Sequence, residues 1–530
     1  MDEYDYVIVG AGSAGCVLAN RLSADPQTRV CLLEAGGGDK SPLLHVPAGW
    51  AATFKNKKFD WAYETEPEAG LNNRRIYWPR GKGLGGSSSI NGMIYIRGVP
   101  VDFAAWEQAG AKGWSWEEVL PYFVKAERQQ THDDGLHGTD GLLHVQDVVD
   151  KRPIQETFLD AMAEQGGQRN DALNGVDQAG CGHYQFTQKN GRRWSTSSAY
   201  LNPARGRSNL EIRTKVQTKR IIFEEKRAVG VETERSGRSE TIRARHVIVS
   251  CGAIGSPQLL ELSGVGDSAR LSALGIDVHH HLPDVGEHLQ DHLLCKVVYG
   301  TRADLSINRE VSGARLLPAA LKWFFARKGP LTTGSAPIGA FWYTREGLEA
   351  PDIQVHFASG ATLYNNAGKI RALAEPAMTA VVNQSRPESR GSIHITSADY
   401  QKHPEIKANY LSTELDRRTM VDGMKLLLRV FESDALAGSI TSRLEPSIEL
   451  GDLDDEALLS YIREEASTVY HPTSTCSIGK VVDENLRVKG VSGLSVVDAS
   501  VMPYVVSGNT NAATIMVAEK NADYLLAHRT

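Results

Sequence analysis

Cysteine is scarce in this chain. Six are scattered over 530 residues, at positions 16, 31, 181, 251, 295 and 476, and none forms a CxxC pair. A disulfide scaffold is therefore excluded, and a reduced, cytoplasmic setting is expected. A basic excess is missing as well. Lys and Arg number 58 against 64 Asp and Glu, a formal net charge of −6. That leaves no surplus for a phosphate backbone and speaks against a nucleic-acid partner. No apolar run approaches the roughly 18 residues of a transmembrane segment. Neither a basic n-region nor an apolar h-region precedes Asp5-Tyr6-Val7-Ile8-Val9-Gly10, so no secretory leader is expected. Loose attachment to the inner membrane stays open on these grounds. Internal repeats and low-complexity tracts are absent too, which sets repeat architectures aside.

What is present is an ordinary globular balance, 41% apolar and 23% charged, on a chain too long for one simple core. The start reads as a βαβ unit: a buried strand at Tyr6–Val9, a helix through Val17, Leu18 and Leu22, and a second strand at Val30–Leu33 ending on Glu34. Residues 36–95 are rich in Gly, Pro and Trp and lack periodicity. Strands recur between 209 and 250, and a strand-to-glycine junction at Ser250–Gly255 leads into a helix from Pro257. The stretch 310–465 mixes amphipathic helices at 416–432 and 453–466 with strands such as 353–357. The last 60 residues return to strand, turn and helix, the helix from about 512 to 526. The expected fold is α/β, with a Rossmann-like domain assembled from residues 1–150, 195–300 and 467–530. A second domain is expected from 151–194 and 301–466.

Gly10-Ala11-Gly12-Ser13-Ala14-Gly15 fits GxGxxG and sits between the first strand and the first helix. Gly10 permits the tight turn, Gly12 lets a pyrophosphate approach the backbone, and Gly15 lets helix pack on strand. The helix N-terminus offers free N–H groups and a positive dipole end. Glu34 lies 19 residues past Gly15, placed to accept bonds from a ribose diol. These features mark a dinucleotide site without separating NAD from FAD.

Two further stretches decide between them. Residues 81–91 (GKGLGGSSSIN) and 252–266 (GAIGSPQLLELSGVG) resemble the two signature patterns of the glucose–methanol–choline oxidoreductases. The dinucleotide motif, the segment 285–292 (VGEHLQDH), His471-Pro472 and Gly508-Asn509-Thr510-Asn511 resemble the same family in the same order. The likeness is greatest to its bacterial alcohol, choline and sorbose dehydrogenases. It implies an FAD domain of separated segments, a substrate domain on an antiparallel sheet, and oxidation of an alcohol to a carbonyl by hydride transfer.

The resemblance assigns roles to particular positions. His471 is the expected general base, since a free pKa of about 6.5 suits it to take a hydroxyl proton. Asn509, with Asn511 as the fallback, is expected to orient the alcohol oxygen. Tyr470 is expected to wall the substrate pocket. The cofactor set comprises Gly10, Gly12, Ser13, Ala14, Gly15, Glu34 and Ala35; Gly81, Gly83, Leu84, Gly85, Gly86, Ser87, Ser88, Asn91 and Gly92; Val216, Cys251, Gly252, Asp498, Ala499, Asn509 and Thr510. Gly83, Gly85 and Gly86 leave room for a flat ring, and Ser87 to Ser89 with Asn91 offer donors; a helix cap after a flexible loop is the plainer reading. Asp498 either borders the cofactor through its backbone or simply caps the turn after the last strand. Some relatives carry covalent FAD on a histidine where this chain has Ile90, so a non-covalent cofactor is expected. His288 and His292 have helical HxxxH spacing, yet no ligand set is completed and no metal is expected. Electrons pass to a quinone or another acceptor, or to O2 in an oxidase; a flavin-binding module without turnover is the remaining alternative.

Overall fold

The computed structural model describes residues 3–132, 134–364, 370–447 and 454–528. Its first sheet collects the short apolar runs that the sequence scatters. Leu210–Thr214, Val30–Glu34, Tyr4–Val9 and Arg238–Val249 lie side by side in that order, all parallel. Arg238–Val249 changes partner along its length. Its polar half, 238–243, pairs antiparallel with Arg227–Arg235, while its apolar end pairs parallel with Leu494–Val496. Val9 stands opposite Leu33 and Val249, and Val249 opposite Val496, so the carboxyl ends share one edge. That edge is where open parallel sheets bind ligands. Helices Ser13–Leu22 and Thr510–Ala527 pack together on the sheet. Arg21 clamps the buried Glu519 through two bonds of 2.8 Å.

The second sheet is antiparallel throughout. Its order is Ile440–Glu445, Leu293–Thr301, Ala377–Gln384, Ile353–Ala358, Ile338–Trp342, Gly180–His183, with Ser467–Thr468 also on Leu293–Thr301. Period-two alternation divides each inner strand between two faces. Leu293, Cys295, Ile353, Val355, Phe357, Met378, Ala380 and Val382 join one core with helices Glu414–Phe431, Pro153–Glu164 and Asp455–Glu465. Their neighbours Leu294, Lys296, His356, Ala358, Thr379 and Val381 face a cavity on the other side. Fold class is therefore as expected: α/β, with a discontinuous parallel-sheet unit and an antiparallel sheet flanked by helices.

Element ends differ from expectation in instructive places. The helices expected at 416–432 and 453–466 run Glu414–Phe431 and Asp455–Glu465; residue 453 lies outside the described residues. The helix expected to open at Pro257 opens at Gly252 instead. Pro257 cannot donate to the carbonyl of Ala253. The Thr475 hydroxyl donates to that carbonyl at 2.7 Å, so the helix tolerates an internal proline. Strand Leu293–Thr301 belongs to the antiparallel sheet, so by sheet membership the division expected at 300/301 falls near 292.

Candidate active site

A cavity of about 1150 Å³ lies between the carboxyl edge of the parallel sheet and the open face of the antiparallel one. Small-molecule pockets run to about 1,000 Å³, so there is room for a dinucleotide and a substrate.

Its parallel-sheet end is built from turns. Gly10 has φ +100°, and a Cβ there would sit 2.4 Å from the Ser250 carbonyl. At Gly15 a Cβ would come within 1.9 Å of the Gly10 carbonyl, so the first helix packs only on glycine. By contrast, a Cβ at Gly12 or Gly252 would meet nothing within 3.8 Å, and both residues line the cavity. Three helix N-termini open onto this space, at Ser13, Gly252 and Thr510, none with an acidic residue in its own first turn; the Asp498 carboxylate already accepts the Gly252 N–H at 2.9 Å, so the ends at Ser13 and Thr510 are the two without a side-chain cap. Such a convergence of free N–H groups and dipole ends favours a pyrophosphate. Glu34 borders it, accepting from Ala11 N at 2.9 Å and Gly36 N at 2.7 Å. Burial raises its pKa, and those amides oppose the shift. Ala35, Val216, Cys251 and Ala499 line the same end. A dinucleotide cofactor fits these residues.

The expected cofactor set divides on inspection. Gly81, Gly86, Ser87, Asn91 and Gly92 line the cavity, whereas Gly83, Leu84, Gly85 and Ser88, like Gly15, do not. Those four lie behind the loop. Gly83 bridges Gly37, Leu84 N donates to Gly37 O, Gly85 N donates to Ala11 O, and the Ser88 hydroxyl donates to Gly85 O. The Ser88 and Ser89 hydroxyls are thus spent within the protein, Ser89 Oγ donating to Leu84 O, whereas Ser87 Oγ accepts from Gly81 N and keeps its own proton at the cavity wall. Asp498 is a cap by its side chain, accepting from Ser500 N, Ser500 Oγ, Gly252 N and Ser256 Oγ at 2.6–2.9 Å. It also borders the cavity.

At the antiparallel end stand His471 and Asn509. Pro472 keeps the preceding residue out of the helical region, and Tyr470 takes φ +68°. Arg80 holds that bend by donating to Tyr470 O at 2.7 Å, and the Tyr470 ring meets Phe54 edge-on. The backbone N–H of His471 donates to Asp291 at 2.7 Å; Asp291 also accepts from Thr468 and Tyr410. Asn509 Nδ2 lies 3.1 Å from His471 Nε2. Asn511 is elsewhere: its Oδ1 accepts from Ser13 Oγ at 2.7 Å, at the dinucleotide end. The structure thus places Asn511 away from His471: two residues beyond Asn509, in the first turn of Thr510–Ala527, its side chain turns to Ser13 instead.

Sequence reasoning missed His292. Its HxxxH partner His288 has φ +64°, so the segment is no helix. His292 Nδ1 lies 3.0 Å from His471 Nδ1, and His292 Nε2 lies 2.9 Å from Ser385 O. A carbonyl only accepts, so Nε2 of His292 carries the proton. Burial pushes His292 down to about 4, so its Nδ1 is a bare lone pair at neutral pH. His471 must then donate from Nδ1, which leaves its Nε2 unprotonated beside the Asn509 amide and the cavity. Burial first, then His292, His356 and Arg80, hold the His471 pKa well below the ordinary histidine range. The signal that could have found His292 is its place one residue before a strand whose alternation aims at the cavity.

One site thus joins a dinucleotide cradle to a neutral imidazole–amide pair, the arrangement of an oxidoreductase that moves a hydride and a proton. Comparison with known proteins gives the family. The GMC oxidoreductase models, N-terminal and C-terminal, match residues 4–294 and 387–518. The chain is 42% identical over 532 residues to the alcohol dehydrogenase [acceptor] of Pseudomonas putida, covering 99% of this chain and 96% of that one. It is 40% identical to the oxygen-dependent choline dehydrogenase of Photobacterium profundum, covering 99% and 93%. The crystal structure of pyridoxine 4-oxidase from Mesorbium loti superposes with a TM-score of 0.89 at 31% identity, covering 99% and 100%. The chain belongs to the GMC oxidoreductase family. It is an FAD-dependent oxidoreductase acting on CH–OH donors.

Proposed function

We propose that the protein oxidises a primary or secondary alcohol to its carbonyl with His471 Nε2 as general base and Asn509 as the group that orients the hydroxyl. Bound FAD supplies the hydride acceptor. The single observation that carries this reading is the contact chain from Ser385 O to His292 Nε2 at 2.9 Å and from His292 Nδ1 to His471 Nδ1 at 3.0 Å; because the carbonyl can only accept, the protons it implies sit on His292 Nε2 and His471 Nδ1 and leave His471 Nε2 unprotonated. An alcohol oxygen seated on the cavity side of the Asn509–His471 pair, within reach of both nitrogens, receives a bond from the amide and gives its proton to the imidazole. As that proton arrives, the Nδ1–H bond to His292 becomes charge-assisted and strengthens. His292 is therefore a positioning residue: it sets the tautomer and steadies the imidazolium without touching substrate. Asp291 fixes the imidazole's place through the backbone.

The cofactor is held without a covalent bond. Ile90 offers no nucleophile and packs with Leu44, Phe54 and Phe59. Gly10, Gly12, Ser13, Ala14, Glu34, Ala35, Val216, Gly252, Asp498, Ala499 and Thr510 hold its nucleotide part; Gly81, Gly86, Ser87, Asn91 and Gly92 face the rest. The acceptor in this reading is a quinone or a similar carrier, with O2 as the second reading, which the identity to an oxygen-dependent choline dehydrogenase favours. Anaerobic addition of alcohols should bleach the flavin of the wild type, and His471→Ala should keep its FAD while bleaching about 10²- to 10⁴-fold more slowly. A variant that loses FAD, or one that bleaches at the wild-type rate, contradicts the assignment.

A further inference from the structure

The helix Leu316–Ala326 turns the wrong face outward. Its inward residues are Ala319 and Trp323, which pack on Leu331, Val46 and Ala48. Its outward residues Leu317, Leu321, Phe324 and Phe325 are 66%, 49%, 60% and 78% exposed. Spacing of i, i+4 and i+8 puts Leu317, Leu321 and Phe325 in one row, with Leu316, Ala320 and Phe324 in the next. Five of the ten exposed large apolar side chains among the described residues lie on this one helix, so the patch is no scatter of ordinary surface leucines.

Charge says what covers it. From Val311 to Lys328 there is no Asp or Glu, while Arg315, Lys322, Arg327 and Lys328 supply four positive charges, on a chain of net −6. Arg327 lies over the Trp323 ring at 4.3 Å. Arg315, Lys322 and Lys328 make no ion pair with the described residues. An apolar face with basic flanks suits the boundary of headgroups and acyl chains in an anionic bilayer. A protein partner or a second copy would leave those four charges to be matched by acids, and the helix carries none to offer in return. With 11 residues the helix is about 16 Å long, too short to span, so it lies in the plane.

Placement gives the surface a purpose. Trp323 Nε1 donates to Gly191 O at 2.8 Å, fixing the helix to the body. The segment that receives it, Val46 to Gly49, runs straight into Trp50, and the chain after Leu331 reaches Ser335 and Ala336; all three line the cavity. We propose that Leu316–Ala326 is a membrane-docking helix that seats the lip of the active-site cavity on an anionic lipid surface. This stands apart from the proton chemistry above and does not depend on it.

Co-sedimentation of the FAD-loaded protein with phosphatidylcholine vesicles, with and without phosphatidylglycerol, tests it. The wild type should pellet with the phosphatidylglycerol vesicles and much less with the neutral ones. Leu317→Ser with Phe325→Ser should weaken partitioning by about ten- to a hundredfold. Lys322→Glu with Lys328→Glu should abolish the preference for phosphatidylglycerol. Both double variants should keep the flavin spectrum and the bleaching rate with alcohol, which shows the fold is intact. Wild type that stays in the supernatant at low salt overturns the proposal, as does an apolar variant that pellets like wild type. Sedimentation velocity gives a third outcome against it: a wild-type dimer that the Leu317→Ser, Phe325→Ser variant splits, with no vesicle binding, assigns the face to a second copy.

Discussion

The two ends of the cavity are made in opposite ways. The dinucleotide end consists of turns in which neighbouring residues act together: Gly10 to Ala14, Glu34 with Ala35, Cys251 with Gly252, Asp498 with Ala499. Its working groups are backbone amides and helix ends, and side chains matter there chiefly by being absent. The substrate end consists of single side chains brought from distant parts of the chain: His356 and Thr379 from strands, and His292, His471 and Asn509 from the loops beside them. Its working groups are an amide and imidazoles whose protonation is set by partners 93 and 179 residues away. Damage at the first end should empty the protein of cofactor; damage at the second should leave it yellow and slow.

The largest effect expected is at the first end. Gly12→Asp puts a carboxylate into the space before the first helix and sets a negative charge against phosphate. FAD retention should fall by more than about a hundredfold, read as flavin-to-protein absorbance after desalting. A yellow Gly12→Asp protein would mean that the cradle lies elsewhere.

Next comes the partner of the base. His292→Phe removes the acceptor for His471 Nδ1–H, and flavin reduction should slow by roughly ten- to a hundredfold, by analogy with the cost of removing an outer-shell partner of an active imidazole. FAD content should not change and the substrate KM should hold. His292→Asn, which returns an acceptor near the position of Nδ1, should recover part of the rate. Equal losses in both variants, together with lost flavin, would make His292 a packing residue only.

Glu34→Ala is the milder insult to the cradle. Loss of a buried charged hydrogen bond is worth about 1.5 to 3 kcal/mol, so FAD should be released about ten- to a hundredfold more readily while loaded enzyme reacts normally. Glu34 already accepts two backbone amides, so part of this loss is the loop's own. The smallest effect is expected at Thr379. Its hydroxyl is buried in the cavity wall without a hydrogen-bond partner among the described residues, as is His356 Nδ1. Thr379→Val should raise KM less than about tenfold for alcohols bearing a second polar group and leave simple alcohols unchanged.

The same contrast explains what was legible in the sequence. GxGxxG followed by Glu34 reads directly, because a turn and the residue that closes it are close in the chain. The cradle's inner supports did not separate from its surface: Gly83 and Gly86 look alike as letters, and only the pairing of Gly83 with Gly37 turns it away. His471 was legible through Pro472 and its motif, but its partner was not. His292 looked like half of an HxxxH, and a left-handed residue at His288 breaks the helix that pattern needs. Asn509 and Asn511 were distinguishable only once the helix was seen to start at Thr510. The cavity face of the antiparallel sheet was the least legible. Alternation in Ile353-Gln354-Val355-His356-Phe357 is plain, yet which face meets a helix and which a ligand depends on the other six strands of its sheet.

The pH dependence of anaerobic flavin reduction by alcohol bears most directly on His471 as the base. Only the neutral imidazole accepts a proton, so the rate is lost as pH falls through the His471 pKa. Burial and the neighbouring His292, His356 and Arg80 place that pKa well below the ordinary histidine value. The sequence alone suggests an inflection near pH 6.5; the buried site predicts one lower, with a plateau through neutral pH. In His471→Ala that inflection should vanish, and the rate should rise only as the alcohol itself ionises at high pH. An unchanged inflection in His471→Ala, with FAD in place, would contradict the mechanism and put the base on another residue.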